Sequence, residues 1–206
     1  MVGLDIEAIA AGTPVEELVP VLDYWVGEDV DASLVIDATG IIYVAVEQER
    51  FTERGREVGQ LLALDPSRPD DPILWSIDVP PRNGGDGGIW ATPALGSGSS
   101  AGMLYVATHP GELLAVDSAT GEVTWRDEIG WHAWSSPLVV DDTLIAAVDC
   151  PSGGGLRAYA LEDPRRPAPV WEVPLQGGCI ESSPIMWHGQ LYVGSRDGFM
   201  YRFGDE

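Results

Sequence analysis

The chain has 206 residues, with 33 Asp and Glu against 11 basic residues, all of them Arg, for a net charge of −22. That charge excludes nucleic acid and anionic lipid as partners, since both bind through basic surface. Hydrophobic residues make up 45%, enough for a core. No apolar run approaches the ~20 residues of a membrane-spanning helix, so direct membrane insertion is excluded too.

Residues 1–19 read as an N-terminal extension, and no basic region or apolar stretch of a signal peptide is visible in 1–12. From residue 20 the chain is punctuated by 25 Gly and 16 Pro. Trp25, Trp75, Trp125 and Trp171 end similar stretches, at intervals of 50, 50 and 46 residues. Spacing of this length fits propeller blades or helical repeats, and the strand pattern decides between them. After Trp25 come short apolar runs at 32–36, 41–45, 60–65 and 73–75. The next unit has runs at 91–95, 103–107, 112–116 and 122–125. The third has 134–140, 144–148, 156–161 and 169–171, and the fourth has 181–186, 190–195 and 199–203. Runs of about five residues between Gly, Pro and Asp turns are strands, and four in succession make a propeller blade. The fold expected is all-β: four four-stranded antiparallel blades at about 32–75, 89–125, 134–171 and 181–203 within a domain spanning 20–206. They form a small closed ring or half of a larger one. The fourth unit is one strand short, and residues 20–25 are expected to complete it, removing an open edge.

The stretch AVDSATGEVTW at 115–125 resembles the pyrroloquinoline-quinone-type propeller repeat, with its A-x-D-x-x-T-G-x-x-x-W signature. The Ser-Ser-Pro runs at 135–137 and 182–184 and the Leu-Tyr-Val runs at 104–106 and 191–193 resemble it as well. The resemblance covers about residues 20–203. Members of that superfamily include quinone-dependent alcohol dehydrogenases and non-enzymatic scaffolds, such as the lipoprotein that assists outer-membrane protein assembly. The resemblance therefore implies the fold more sharply than the function. It implies an extracytoplasmic setting, in the cell envelope or secreted. The dehydrogenases usually have eight blades, a calcium site and adjacent cysteines over the quinone; this chain has four units and no adjacent cysteines.

Blade geometry sorts the loops. The approach to each inner strand and the end of the following strand meet at one end of a hairpin, so these positions share one face of the disc. Asp29, Asp31, Glu47 and Arg50 fall there from the first unit, and Trp90 and His109 from the second. His132, Trp134 and Cys150 come from the third, and Cys179, Glu181 and Arg196 from the fourth. The loop 48–59 lies on the same face. Loops on a rigid scaffold are where binding concentrates, so Asp29, Asp31, Glu47, Arg50, Trp90, His109, His132, Trp134, Glu181 and Arg196 are the candidate ligand-binding residues. The repeat Trp residues are read as packing between blades and the Ser-Ser-Pro hydroxyls as links to backbone. Cys150 and Cys179 are placed for a disulfide, with reduced thiols as the alternative. Glu28–Asp31 is an acidic turn without a complete calcium-loop pattern.

No nucleophile motif is present. The leading reading is a non-catalytic interaction module, with no cofactor expected, that presents this face to a protein or small ligand, alone or as a homodimer. The alternatives are a quinone- and calcium-dependent dehydrogenase, or a fragment of one, and a carbohydrate-binding propeller using Trp90 and Trp134 as platforms.

Overall fold

The computed structural model describes residues 1–82, 85–148, 154–175 and 178–204. Four antiparallel sheets follow one another along the chain. Blade 1 comprises Val35–Ile36, Ile42–Ala45, Leu61–Leu64 and Ile73–Ile77; blade 2 comprises Ala94–Leu95, Met103–Ala107, Glu112–Asp117 and Val123–Glu128. Blade 3 comprises Leu138–Val140, Thr143–Val148, Gly155–Ala160 and Ala168–Pro174, and blade 4 comprises Ile185–Trp187, Gln190–Gly194 and Met200–Phe203.

Alternation along the middle strands stacks the blades. In blade 2, Leu104, Val106, Leu114 and Val116 turn toward Tyr43, Ala45, Leu61 and Ala63 of blade 1. The intervening Tyr105, Ala107, Leu113 and Ala115 turn toward Leu144, Ala146 and Tyr159 of blade 3. Blade 3 in turn packs Ile145, Ala147, Leu156 and Ala158 against Leu191, Val193, Tyr201 and Phe203 of blade 4. Strands buried on both faces read as unbroken apolar runs, which is why Met103–Ala107 shows no polar alternation.

The repeat signature has a direct structural cause. In blades 1 to 3 an Ala of the third strand faces the repeat Trp of the fourth: Ala63 with Trp75, Ala115 with Trp125, Ala158 with Trp171. A bulge follows each pair and strengthens the local twist. Trp75 then reaches blade 2, where its Nε1 donates to Ser118 O at 2.9 Å. Gly121 has φ +73°, and a Cβ there would sit 2.7 Å from the Trp75 ring. The turn thus needs glycine for its backbone and for the indole against it. Asp117 Oδ1 closes the turn by accepting from the backbone of Ala119 and Thr120 and from the Thr120 hydroxyl. Arg165 of blade 3 holds the other oxygen at 2.6 Å.

The inner strands start later than the sequence runs imply, because Pro93, Pro137 and Pro184 lack the N–H a ladder needs. The residues before them do other work. Ser33 N–H donates to Thr92 Oγ1 (3.0 Å), Thr92 N–H to Ser136 Oγ (2.9 Å), and Ser136 N–H to Ser183 Oγ (3.1 Å). A hydroxyl belt hands one bond from each blade to the next around the inner edge.

Three expectations are corrected. Residues 20–25 do not complete blade 4: Leu22–Asp23 pairs with Val2–Gly3, and blade 4 has three strands among the described residues. Val26, with Met1, Tyr24 and Val30, packs on Val44, Val46, Leu62 and Leu64, so the N-terminal segment covers the free face of blade 1. Apolar burial there outweighs the edge pairing that the count of strands invites. Trp25, grouped with the packing Trp residues, is instead 68% exposed. The segment 48–59, read as a loop, contains the helix Glu53–Val58, capped by Thr52 Oγ1 accepting from Gly55 N–H. Among the described residues the four sheets do not close into a ring.

Candidate functional site

The strand pair Glu47–Gln48 with Gly87–Gly88 ties the loops of blade 1 to those of blade 2. The two glycines permit it: a Cβ on Gly87 would lie 2.5 Å from Gln48 Oε1, and one on Gly88 2.5 Å from Val46 O. Ile89 N–H donates to Val46 O (2.9 Å) and His109 N–H to Gly88 O (2.9 Å), which brings Trp90 and His109 beside the Glu47 strand.

Four rings meet across the boundary of blades 2 and 3. Trp90 stacks on His109 at 4.1 Å and on Trp134 at 5.2 Å. His132 stacks on His109 at 5.7 Å and on Trp134 at 5.8 Å. Burial, with His132 adding a like charge, holds His109 below the ordinary imidazole value, while the Asp86 carbonyl pulls the other way. The 3.2 Å contact from its Nδ1 to Asp86 O assigns that nitrogen the proton and leaves Nε2 as acceptor. Beside the rings a groove of about 400 Å³ is lined by Arg82, Asp86, His109, Glu128, Trp131 and His132. Trp131 is 67% exposed; the sequence reading missed it, although Trp131-His132-Ala133-Trp134 crowds three rings into four residues.

The acidic part lies on blade 1. Glu28 is buried but satisfied, accepting from Arg50 N–H (3.1 Å) and Thr52 N–H (2.6 Å). Arg50 pairs with Asp29 at 2.5 Å. Glu47 differs: it is 4% exposed, and its Oε1 has no hydrogen-bond partner. Burial pushes its carboxyl up to about 7, with the neighbouring Asp31 carboxylate and its hydrogen bond next, then Glu49 and Asp29. Gln48 Oε1 and Trp90 Nε1 are likewise buried and unpartnered. Gln48 was not singled out from sequence, and the acidic turn Glu28–Asp31 was read without separating Glu28 from its neighbours; only tertiary packing does that.

On blade 4, Glu181 and Arg196 pair with each other at 2.9 Å. Cys179 is disulfide-bonded; Cys150, its expected partner, lies outside the described residues.

Similarity to known proteins agrees with this architecture. The profile of the family described as outer membrane protein assembly factor BamB, of the pyrroloquinoline-quinone repeat type, matches residues 57–198, and the chain belongs to that family. The structure of BamB from Moraxella catarrhalis superposes with TM-score 0.66 at 20% identity, over 90% of this chain and 49% of that one. The chain thus spans about half the length of that protein. The computationally designed Ika4 protein gives TM-score 0.59 at 10% identity, over 89% of this chain and 94% of that one. Quinohemoprotein alcohol dehydrogenase from Comamonas testosteroni gives 0.58 at 19% identity, over 82% and 29%. At these identities the likeness is one of fold. No curated protein sequence matches.

Quinone and calcium, the cofactors implied by the sequence resemblance, fit poorly here. Among the described residues no group of three or more His, Cys, Asp or Glu is placed to hold a metal. The Trp90 ring is already engaged by His109 and Trp134.

Proposed function

We propose that this chain is a non-catalytic interaction module that holds a partner protein on the face carrying Trp90, His109, His132 and Trp134, in an extracytoplasmic setting. The four-ring stack carries the reading. It is built across two blades, so it is rigid, and Trp134 within it and Trp131 beside it are exposed to solvent. Aromatic side chains fixed on a scaffold, next to a groove with Arg82 and Glu128 at its rim, are the usual anchors of protein interfaces. Membership of the BamB family supports a scaffold role.

The test is site-specific crosslinking in the native host envelope. A photoreactive residue replacing Trp131 is expected to trap a defined partner, and one replacing Ala119, on the opposite turn, is not. Trapping only from position 119 would overturn the assignment of the face.

A further inference from the structure

Among the described residues, Glu47 is the buried carboxylate on this face with an oxygen that has no hydrogen-bond partner. Buried carboxylates are normally ion-paired or ringed by donors. Glu28, three residues before Asp31 on the same turn, follows that rule with two backbone N–H donors. Glu47 breaks it. One oxygen is unpartnered, its hydrogen bond is to another acid, Asp31, and Asp29 and Glu49 lie close enough to repel it. Arg50, on the same face, is paired with Asp29. Two carboxyl groups sharing a hydrogen bond cannot both ionise without cost, so Glu47 retains a proton that a cation would displace.

We propose that Glu47 and Asp31 form a receptor for an arginine side chain of a partner protein. This deepens the interaction reading and rests on it. The chemistry of the pair favours a guanidinium: its planar fork can bond oxygens of two acids side by side, and Asp31 is exposed. A metal ion is the poorer occupant, since the acids on this turn do not form a metal-holding group. A cation also suits a chain with net charge −22, whose field draws basic segments toward it. The Gly87–Gly88 contact sets Trp90 two residues beyond the Glu47 pairing partner, so the indole N–H, itself unpartnered, reports on the site.

The experiment is an NMR titration of the full chain, following the Trp90 indole signal, assigned by its loss in Trp90→Phe. The probes are acetyl-Gly-Arg-Gly-amide, its citrulline twin and calcium chloride. The arginine peptide is expected to bind at least tenfold tighter than the citrulline peptide. Its affinity is expected to rise about tenfold from pH 6 to pH 8 as the pair gives up its proton. Glu47→Gln, checked for folding by its melting curve, is expected to remove both differences, and Glu16→Gln on the N-terminal extension to change neither. Equal binding of the two peptides, a flat pH profile, or calcium displacing the arginine peptide would each overturn the proposal. Should the peptides fail while position 131 still crosslinks a partner, the face stands and only the arginine receptor falls.

Discussion

Blade 2 and blade 4 are built from the same repeat yet live in different environments. Leu104 and Tyr105 of blade 2 are both fully buried, one facing blade 1 and the other blade 3. In blade 4, Leu191 and Val193 are buried against blade 3, but Ile185, Trp187 and Met200 face outward, with Trp187 65% and Met200 77% exposed. The lesson is that a blade's stability lies in its neighbours. The strand sequence supplies two apolar faces, and only stacking converts them into burial.

Several measurements can break or sharpen that contrast. The largest effect is expected at Leu104→Ala, which removes a side chain enclosed on the blade 1 side and should cost ~3–4 kcal/mol in urea unfolding. Gly121→Ala comes next. Its φ of +73° and the Trp75 ring 2.7 Å from a Cβ should together cost ~2–3 kcal/mol, and Gly121→Ala combined with Trp75→Leu should recover part of that. Glu47→Gln has a smaller effect that depends on pH. The folded carboxyl titrates at about 7, above its ordinary value of 4.5. The folded chain therefore keeps a proton that the unfolded chain has lost, and stability falls as pH rises from 4.5 through 7. Glu47→Gln should stabilise by ~1–2 kcal/mol at pH 8, allowing for screening through exposed Asp31, and be neutral at pH 4. Thermal melts of both proteins at the two pH values check the sign. The smallest effect is expected at Met200→Ser, within ~0.5 kcal/mol of the parent because that side chain is exposed. A cost near that of Leu104→Ala would mean that blade 4 is covered in solution after all.

Much of the fold was legible in the sequence. Evenly spaced Trp residues, short apolar runs and turn residues determine blades, because strand periodicity and turn chemistry are local. The hydroxyl links at Ser136 and Ser183 were readable for the same reason, since Ser before Pro has backbone to satisfy, whereas Thr92, read as part of an apolar run, was not. The position of residues 20–25 was not readable. Leu22–Asp23 has strand character wherever it pairs, and whether it meets blade 4 or Val2–Gly3 depends on which apolar face needs covering.

The site divides in the same way. Sequence placed Asp29, Asp31, Glu47, Trp90, His109, His132 and Trp134 on one face, since hairpin geometry sorts loops by end. Only the tertiary structure decided that four of these residues are stacked rings, that Arg50 is consumed by Asp29, and that Glu28 is satisfied while Glu47 is not. A carboxylate's character is set by the donors and charges within a few ångströms, and those arrive from segments distant in the chain. The sequence alone determined the repeat and the order of its loops; long-range packing decided which acid on that face is buried with an oxygen left unpartnered.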